Sequence, residues 1–585
     1  MRKSLLFIIS LCCLMLTSCS NEDNGTTEPT VQQLQDGEWT GSGEGRSGSV
    51  IAKVVVENHQ IYQVTVVSQS ESTFAQETIN NIVESAIGRT GLMSVEVDGI
   101  TGATLTSTGV INAINMALQA AMGKQTETAK TYKDGTCDIV IVGAGGAGLS
   151  AAVAASETNG SLKIVVLEKQ GILGGNTNYS TGGINAAETS IQQELGINDS
   201  KDLFYDDIMR GGKQENIPSL VRNFVENAPA TISWLTRLGA DLSDVGLMGG
   251  SSVKRTHRPK GGSAIGPHLM KILTTASNKE NIEIRTLNKV TGLLTSLDGA
   301  VTGVKVQSAD GSSYKLTAKA VIIATGGFGA NLEMVTSLQP SLRGFATLNH
   351  PGATGDAFGW VKAIGGATIQ MANIQIHPTA EATNHILITE AVRGNGAILV
   401  NVHGQRFCNE MDTRDVVSAA ILGQENGEAF LIFDQTVRKS LASIETYANQ
   451  HLLSEGTTIE ELADCVALPA NTLSATVSRY NAQQKAGVDD DFGRNATEMP
   501  VPLEASPFYC VRVTPAIHHT MGGLSVNTET QVLRADGTPI PGLYAAGEVT
   551  GGLHGANRLG GNGVADIVVN GRLAGLAASK RLNKK

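Results

Sequence analysis

The stretch Asp138-Ile139-Val140-Ile141-Val142-Gly143-Ala144-Gly145-Gly146-Ala147-Gly148 decides the fold of most of this chain. Its first five residues, four of them apolar and β-branched, read as a buried strand. Glycines at 143, 145 and 148 follow, and Leu149 to Ala155 reads as a helix. Strand, glycine turn and helix in that order make a phosphate-cradling unit. One glycine allows the tight turn, a second the close approach of a pyrophosphate, and a third the packing of helix on strand. A second strand, Lys163 to Leu167, ends at Glu168, 25 residues after Gly143. An acid near that point binds a ribose hydroxyl. The expected class is α/β, with a Rossmann-like nucleotide domain.

More glycine-rich stretches follow in order. Gly174-Gly175-Asn176-Thr177 and Thr181-Gly182-Gly183 come soon after the acid. Val321-Ile322-Ile323-Ala324-Thr325-Gly326-Gly327 and Thr354-Gly355-Asp356 come later. Gly542-Leu543-Tyr544-Ala545-Ala546-Gly547-Glu548 then returns a strand, a glycine and an acid near the C-terminus. The set favours FAD over NAD. Over about residues 137–585 it resembles the flavoprotein family of fumarate reductases, succinate dehydrogenases and L-aspartate oxidases. The resemblance implies a non-covalent FAD site built from Gly143, Gly145, Ala147, Gly148, Glu168, Asn176, Thr177, Gly182, Gly183, Val290, Asp356, His519, Glu548, Gly563 and Val564. It also implies an α+β capping domain at 371–510, inserted into an FAD-binding domain at 135–370 and 511–585.

Composition narrows the function. The chain has 585 residues, 67 of them glycine, and a formal net charge of -11. A chain this acidic is not expected to bind nucleic acid. Its basic run, Lys254-Arg255-Thr256-His257-Arg258-Pro259-Lys260, reads as a solvated loop. Seven cysteines contain no Cys-x-x-Cys, so neither a c-type haem nor an iron–sulfur cluster is expected, and no metal site. Electron transfer must then run on flavin or nicotinamide.

The N-terminus reads as an export signal. Met1-Arg2-Lys3 is basic, Leu5 to Leu16 is apolar but too short to span a bilayer, and Leu16-Thr17-Ser18-Cys19 resembles a bacterial lipobox. Residues 1–18 would be removed, and Cys19 would carry a lipid anchoring the protein outside the cytoplasm. Residues 19–35 read as a tether.

Residues 36–125 have a pattern of their own, followed by a linker at 126–134. Val50 to Val56 and Ile61 to Val67 read as strands, and Ile82 to Ile87 as helical. Asp98-Gly99-Ile100-Thr101-Gly102-Ala103-Thr104-Leu105-Thr106 then leads into helical spacing at Val110, Ile111, Ile114, Ala117, Leu118, Ala121 and Met122. A helix N-terminus favours a phosphate. This small α+β domain resembles the FMN-binding domain of sodium-pumping quinone reductase subunits and their extracytoplasmic relatives. The resemblance implies covalent FMN on Thr106, attached by a separate flavin transferase.

The chemistry is expected between Ile374 and Asp415. This stretch holds His377-Pro378-Thr379, Thr389-Glu390-Ala391-Val392-Arg393-Gly394, Arg406-Phe407 and Thr413-Arg414-Asp415. Downstream come His518-His519 and Gly552 to Gly563, and here the likeness is to soluble single-chain fumarate reductases. Reducing an enedioate needs a hydride at one alkene carbon, a proton at the other, and donors to meet the charge that builds on the carboxylate. By resemblance, FAD N5 supplies the hydride, His518 and Arg558 hold one carboxylate, and His377 and Thr389 hold the other. Glu390 and Gly561 complete the substrate site. Arg414 is placed as proton donor, reloaded through Glu390 and Arg393, which share a face if that segment is helical. Taken singly, His377 also reads as a turn histidine, Arg393 as a surface ion pair, and Arg414 as a helix-start pair with Asp415.

The resulting expectation is an exported fumarate reductase of anaerobic respiration, taking electrons from a membrane-associated donor through FMN and FAD to a small dicarboxylate. The alternative is a reductase of another 2-enoate, such as urocanate or an acrylate derivative. A third reading is a flavin electron carrier with no small substrate.

Overall fold

The computed structural model describes residues 33–44, 49–68, 76–93, 104–122, 132–308 and 311–583. Cys19, the signal segment and the motif residues 98–103 lie outside the described residues.

The first unit is a three-stranded antiparallel sheet, Gly37–Glu44, Ser49–Glu57 and Gln60–Ser68, with helices Gln76–Ala86 and Thr104–Ala121. Its leading strand carries no apolar alternation and is not legible in the sequence. The reason is its glycines. A Cβ on Gly41 would lie 2.2 Å from the Ala113 carbonyl oxygen, and one on Gly43 would lie 2.1 Å from that of Gly109. The helix Thr104–Ala121 therefore rests directly on this strand. It buries Val110, Ile111, Ile114, Ala117, Leu118 and Ala121 into a small separate core.

The nucleotide domain is built on an eight-stranded sheet. Strand Gly135–Val142 pairs in parallel with Ser313–Ile323 on one side and Ile164–Leu167 on the other. Ile282–Arg285 extends one edge, and Pro539–Ala545 joins Ser313–Ile323. Residues 139–142 and 164–167 are buried, which accounts for their unbroken apolar runs. Helices Gly146–Thr158 and Asn562–Asn583 pack against each other at glycines. A Cβ on Gly575 would meet the Ala151 carbonyl oxygen at 2.2 Å.

The cap has its own core and a sheet ordered Ile374–Glu381, Phe508–Thr520, Ala429–Asp434, Ile398–Val400. Strand Phe508–Thr520 runs unbroken across residue 510. Its first half pairs with Ala429–Asp434 and its second half with Ile374–Glu381. It thus carries His518 and His519 from the cap sheet to the nucleotide domain.

The basic run 254–260 departs from the expected solvated loop. Thr256–Arg258 is a strand, and Arg255 is fully buried between Asp199 at 2.9 Å and Asp207 at 2.8 Å. Arg258 binds Asp244 at 2.8 Å. The neutralising carboxylates come from distant segments, so a local charge count misses them.

Candidate active site

Two adjoining cavities share Asn176, Thr177, Glu548 and Ile567 in their walls. Gly143, Gly145, Ala147, Glu168, Val290 and Asp356 line the first. Gly143 has φ +104°, and a Cβ there would lie 2.3 Å from the Ala324 carbonyl oxygen, so only glycine fits the turn. Gly148 is not in the lining. A Cβ there would lie 1.9 Å from the Gly143 carbonyl oxygen, so Gly148 packs helix against turn. Glu168 follows the strand Ile164–Leu167 half-buried, accepting the amides of Ala144 and Gln170 at 2.9 Å each. Burial pushes its carboxyl up. Lys169 binds Thr354 at 2.7 Å and Asp356 at 2.9 Å. A helix start cradled by glycines and an acid at the next strand end fit the pyrophosphate and ribose of FAD.

The second cavity brings together residues from four distant parts of the chain. Gly182, Gly183, His377, Thr389, Glu390, Arg414, His518, His519, Arg558, Gly561, Gly563 and Val564 all line it. The strand Ile374–Glu381 carries Gln375 and His377 at alternate positions. Pro378 falls where the register with Phe508–Thr520 is interrupted, so its missing N–H breaks no ladder bond. The one-turn helix Ala391–Gly394 has Glu390 at its N-cap and Arg393 on the same side. Arg414 opens the helix Arg414–Leu422.

The polar contacts connect these pieces. Arg414 Nε donates to Glu390 Oε2 at 2.7 Å, and Arg414 Nη1 donates to Gln375 Oε1 at 3.2 Å. Gln375 Nε2 in turn donates to Asn557 Oδ1 at 2.7 Å and to the Arg558 carbonyl at 2.8 Å. The Gly249 amide donates to Glu390 Oε1. Arg393 Nη2 lies 3.9 Å from Glu390 Oε2, and Arg393 is fully buried rather than a surface pair. Asp415 turns away from Arg414 to Lys213 and Thr413.

Burial pulls His377 and His518 well below the ordinary histidine range, and Arg414 adds to the effect. His377 Nδ1 accepts the Thr379 amide at 3.2 Å, which leaves the proton on Nε2. The rings of His377 and His518 stand 5.1 Å apart, edge to face. Burial raises Glu390, but Arg414 and Arg393 together hold it below the usual carboxylate range. Burial, with Arg414 nearby, pulls the Arg558 guanidinium down to about 9. Among the described residues its Nε has no hydrogen-bond partner, and neither does His519 Nδ1. Two buried guanidiniums, Arg414 and Arg558, therefore line a cavity in which Glu390 is already committed to Arg414. Such a site takes an anionic ligand.

Sequence reasoning missed several members. Gln375 sits two residues before His377, a spacing that does place both on one strand face. The Gly249 amide and Lys169 carry no motif. Arg406 belongs elsewhere: it binds Glu410 at 2.8 Å and Asp489 at 3.0 Å inside the cap. Thr106 is in the other unit, buried in the first turn of Thr104–Ala121.

Comparison with known proteins agrees with this architecture. The FAD binding domain family matches residues 138–564, and the FMN-binding domain family matches residues 45–119. The chain is 45% identical over 449 residues to the fumarate reductase (cytochrome) of Shewanella frigidimarina, covering 77% of this chain and 78% of that one. It is 34% identical to the urocanate reductase of Eggerthella lenta, covering 92% of each. A solved structure of the open conformation of a flavocytochrome c3 fumarate reductase superposes with a TM-score of 0.64 at 41% identity, covering 77% of this chain and 79% of that one. By these matches and this geometry the chain belongs to the fumarate reductase flavoprotein family, and it is an FAD-dependent oxidoreductase that also carries an FMN-binding domain.

Proposed function

We propose that this protein reduces fumarate to succinate outside the cytoplasm, with electrons passing through FMN to FAD. The observation that carries the reading is one cavity lined by His377, Thr389, His518, Arg558 and Arg414, with Arg414 bonded to the buried Glu390. His518 and Arg558 would hold one carboxylate, and His377 and Thr389 the other. Arg414, bonded to Glu390 at 2.7 Å, lines the same cavity. When bound, FAD supplies the hydride. Arg414 would deliver a proton to the opposite carbon. Glu390 would return one to Arg414, drawing on Arg393, which is why Glu390 must stay ionised at rest. Arg558 and His518 would meet the negative charge that grows on the carboxylate as the alkene is consumed. The cap would exclude water from the step.

The test is reoxidation of dye-reduced enzyme, without air, by fumarate, urocanate, acrylate, methacrylate and cinnamate. Turnover with fumarate alone is expected. His377→Ala should raise the fumarate KM by about 10²-fold, since a charge-assisted hydrogen bond to a desolvated carboxylate is lost. Unchanged turnover and affinity in that variant would remove the clamp reading. Turnover of another enoate in place of fumarate would favour the second reading, a reductase of a different 2-enoate. The urocanate reductase relative supports keeping it in the panel.

Covalent attachment of FMN at Thr106 belongs to the same proposal. Thr106→Ala should abolish flavin that survives denaturation and stays with the polypeptide, while releasable FAD remains. Dye-driven fumarate reduction should then persist, and reduction driven by membranes should fail. Covalent FMN persisting in that variant would place the attachment elsewhere. Lipidation at Cys19 would bring the FMN domain to its membrane-associated donor.

A further inference from the structure

The nucleotide domain and the cap have separate hydrophobic cores, and the chain crosses between them on the strands Ile374–Glu381 and Phe508–Thr520. Arg558 belongs to the first body and Arg414 to the second. Their separation decides whether one substrate can touch both. A short loop, residues 212–217, reaches both bodies. It follows helix Lys201–Gly211 and contains two consecutive left-handed residues, Lys213 at φ +58° and Gln214 at φ +61°. That conformation is costly without glycine and persists only where surroundings enforce it.

On one side the loop grips the segment leading to Arg558. The Ala556 amide donates to the Gly212 carbonyl at 3.0 Å, and the Ile217 amide donates to the Gly552 carbonyl at 2.7 Å. Asn216 Nδ2 donates to the Leu553 carbonyl at 2.8 Å. On the other side, Lys213 Nζ meets Asp415 Oδ2 at 2.5 Å. Asp415 is the residue after Arg414, in the first turn of its helix, and Thr413 Oγ1 donates to its other oxygen at 2.6 Å. The left-handed pair thus turns Lys213 out of the Arg558 bracket and onto the helix that presents Arg414.

We propose that Lys213 is a positioning residue, and that its ion pair with Asp415 is a latch holding the cap in the geometry where Arg414 and Arg558 face one substrate. The pair is at the surface, with 58% of the Lys213 side chain and 30% of the Asp415 side chain exposed. An exposed pair shifts an equilibrium by a factor of only about two to five, and salt screens it. It tunes closure and does not create it. Substrate binding itself draws the two arginines together, so a missing latch raises the apparent dissociation constant and leaves the saturated rate nearly intact.

The proposal rests on the fumarate reading only for its kinetic readout. In the FAD-loaded enzyme, Lys213→Met and Asp415→Asn are expected to raise the fumarate KM about threefold in low salt, with kcat within a factor of about 1.5. Lys213→Arg should retain the wild-type KM. The difference between wild type and Lys213→Met should vanish in about 0.5 M salt. Without substrate, the Val417 amide, which donates to the Thr413 carbonyl at 3.0 Å, should exchange its hydrogen faster in Lys213→Met. An unchanged KM, a loss confined to kcat, or a KM rise that survives high salt would each overturn the latch. So would unchanged Val417 exchange. If fumarate is not the substrate, wild type and variants alike fail to turn it over, and the exchange measurement alone decides the latch.

Discussion

Arg414→Ala is expected to lower kcat for fumarate by at least about 10³-fold, because it removes both the proton donor and a cation facing the substrate. FAD content should stay at the wild-type level, since Arg414 lines the substrate cavity and not the first, nucleotide-holding one. The geometry explains why lysine is no substitute. Arg414 uses Nε for Glu390 and Nη1 for Gln375, two acceptors on different segments, and a single ammonium on a flexible stem cannot hold both in the same plane. Arg414→Lys should therefore lose about 10²-fold in kcat despite keeping its charge. The same substitutions release Glu390. Burial pushes that carboxyl up, and Arg414 is the stronger of the two cations that hold it down. A depressed carboxylate contributes stability above its unfolded pKa and loses it as pH falls through the folded one. Arg414→Ala should then flatten the acid side of the stability profile. Wild-type turnover in Arg414→Ala would remove this residue from the proton path.

Arg558→Met is expected to cost about 10²- to 10³-fold in kcat/KM, the range for losing a preorganised donor to developing carboxylate charge. Its effect on stability should go the other way. Arg558 is buried, its Nε has no hydrogen-bond partner among the described residues, and burial draws it down to about 9. A methionine of similar length removes that desolvation cost, so the empty variant should melt at or above the wild-type temperature. A dianionic ligand should stabilise the wild type against heat and leave Arg558→Met unmoved. An equal thermal shift in both would mean that Arg558 does not hold a carboxylate.

Gln375 shows where legibility ends. Its two-residue spacing from His377 is visible, but nothing local says that its amide joins Arg414 to Asn557 and to the Arg558 carbonyl across more than 180 residues of chain. The basic run 254–260 makes the same point in reverse. Locally it looks solvated, yet Arg255 is buried because Asp199 and Asp207 arrive from elsewhere. Arg406 and Arg414 both stand in the stretch where the chemistry is expected. One ended in an ion-pair network inside the cap and the other in the cavity.

The sequence by itself determined the nucleotide fold, since its signal is local. A strand, three glycines, a helix and an acid at the next strand end are constrained by sterics within about thirty residues. It also determined the helix Thr104–Ala121, by apolar periodicity. Only the tertiary structure decided which arginines share a cavity, which histidine tautomer faces it, and that Lys213 reaches the neighbour of Arg414. Those outcomes depend on the separation and burial of charges from different segments. Burial and pairing are properties of the packed chain, and no spacing along it encodes them.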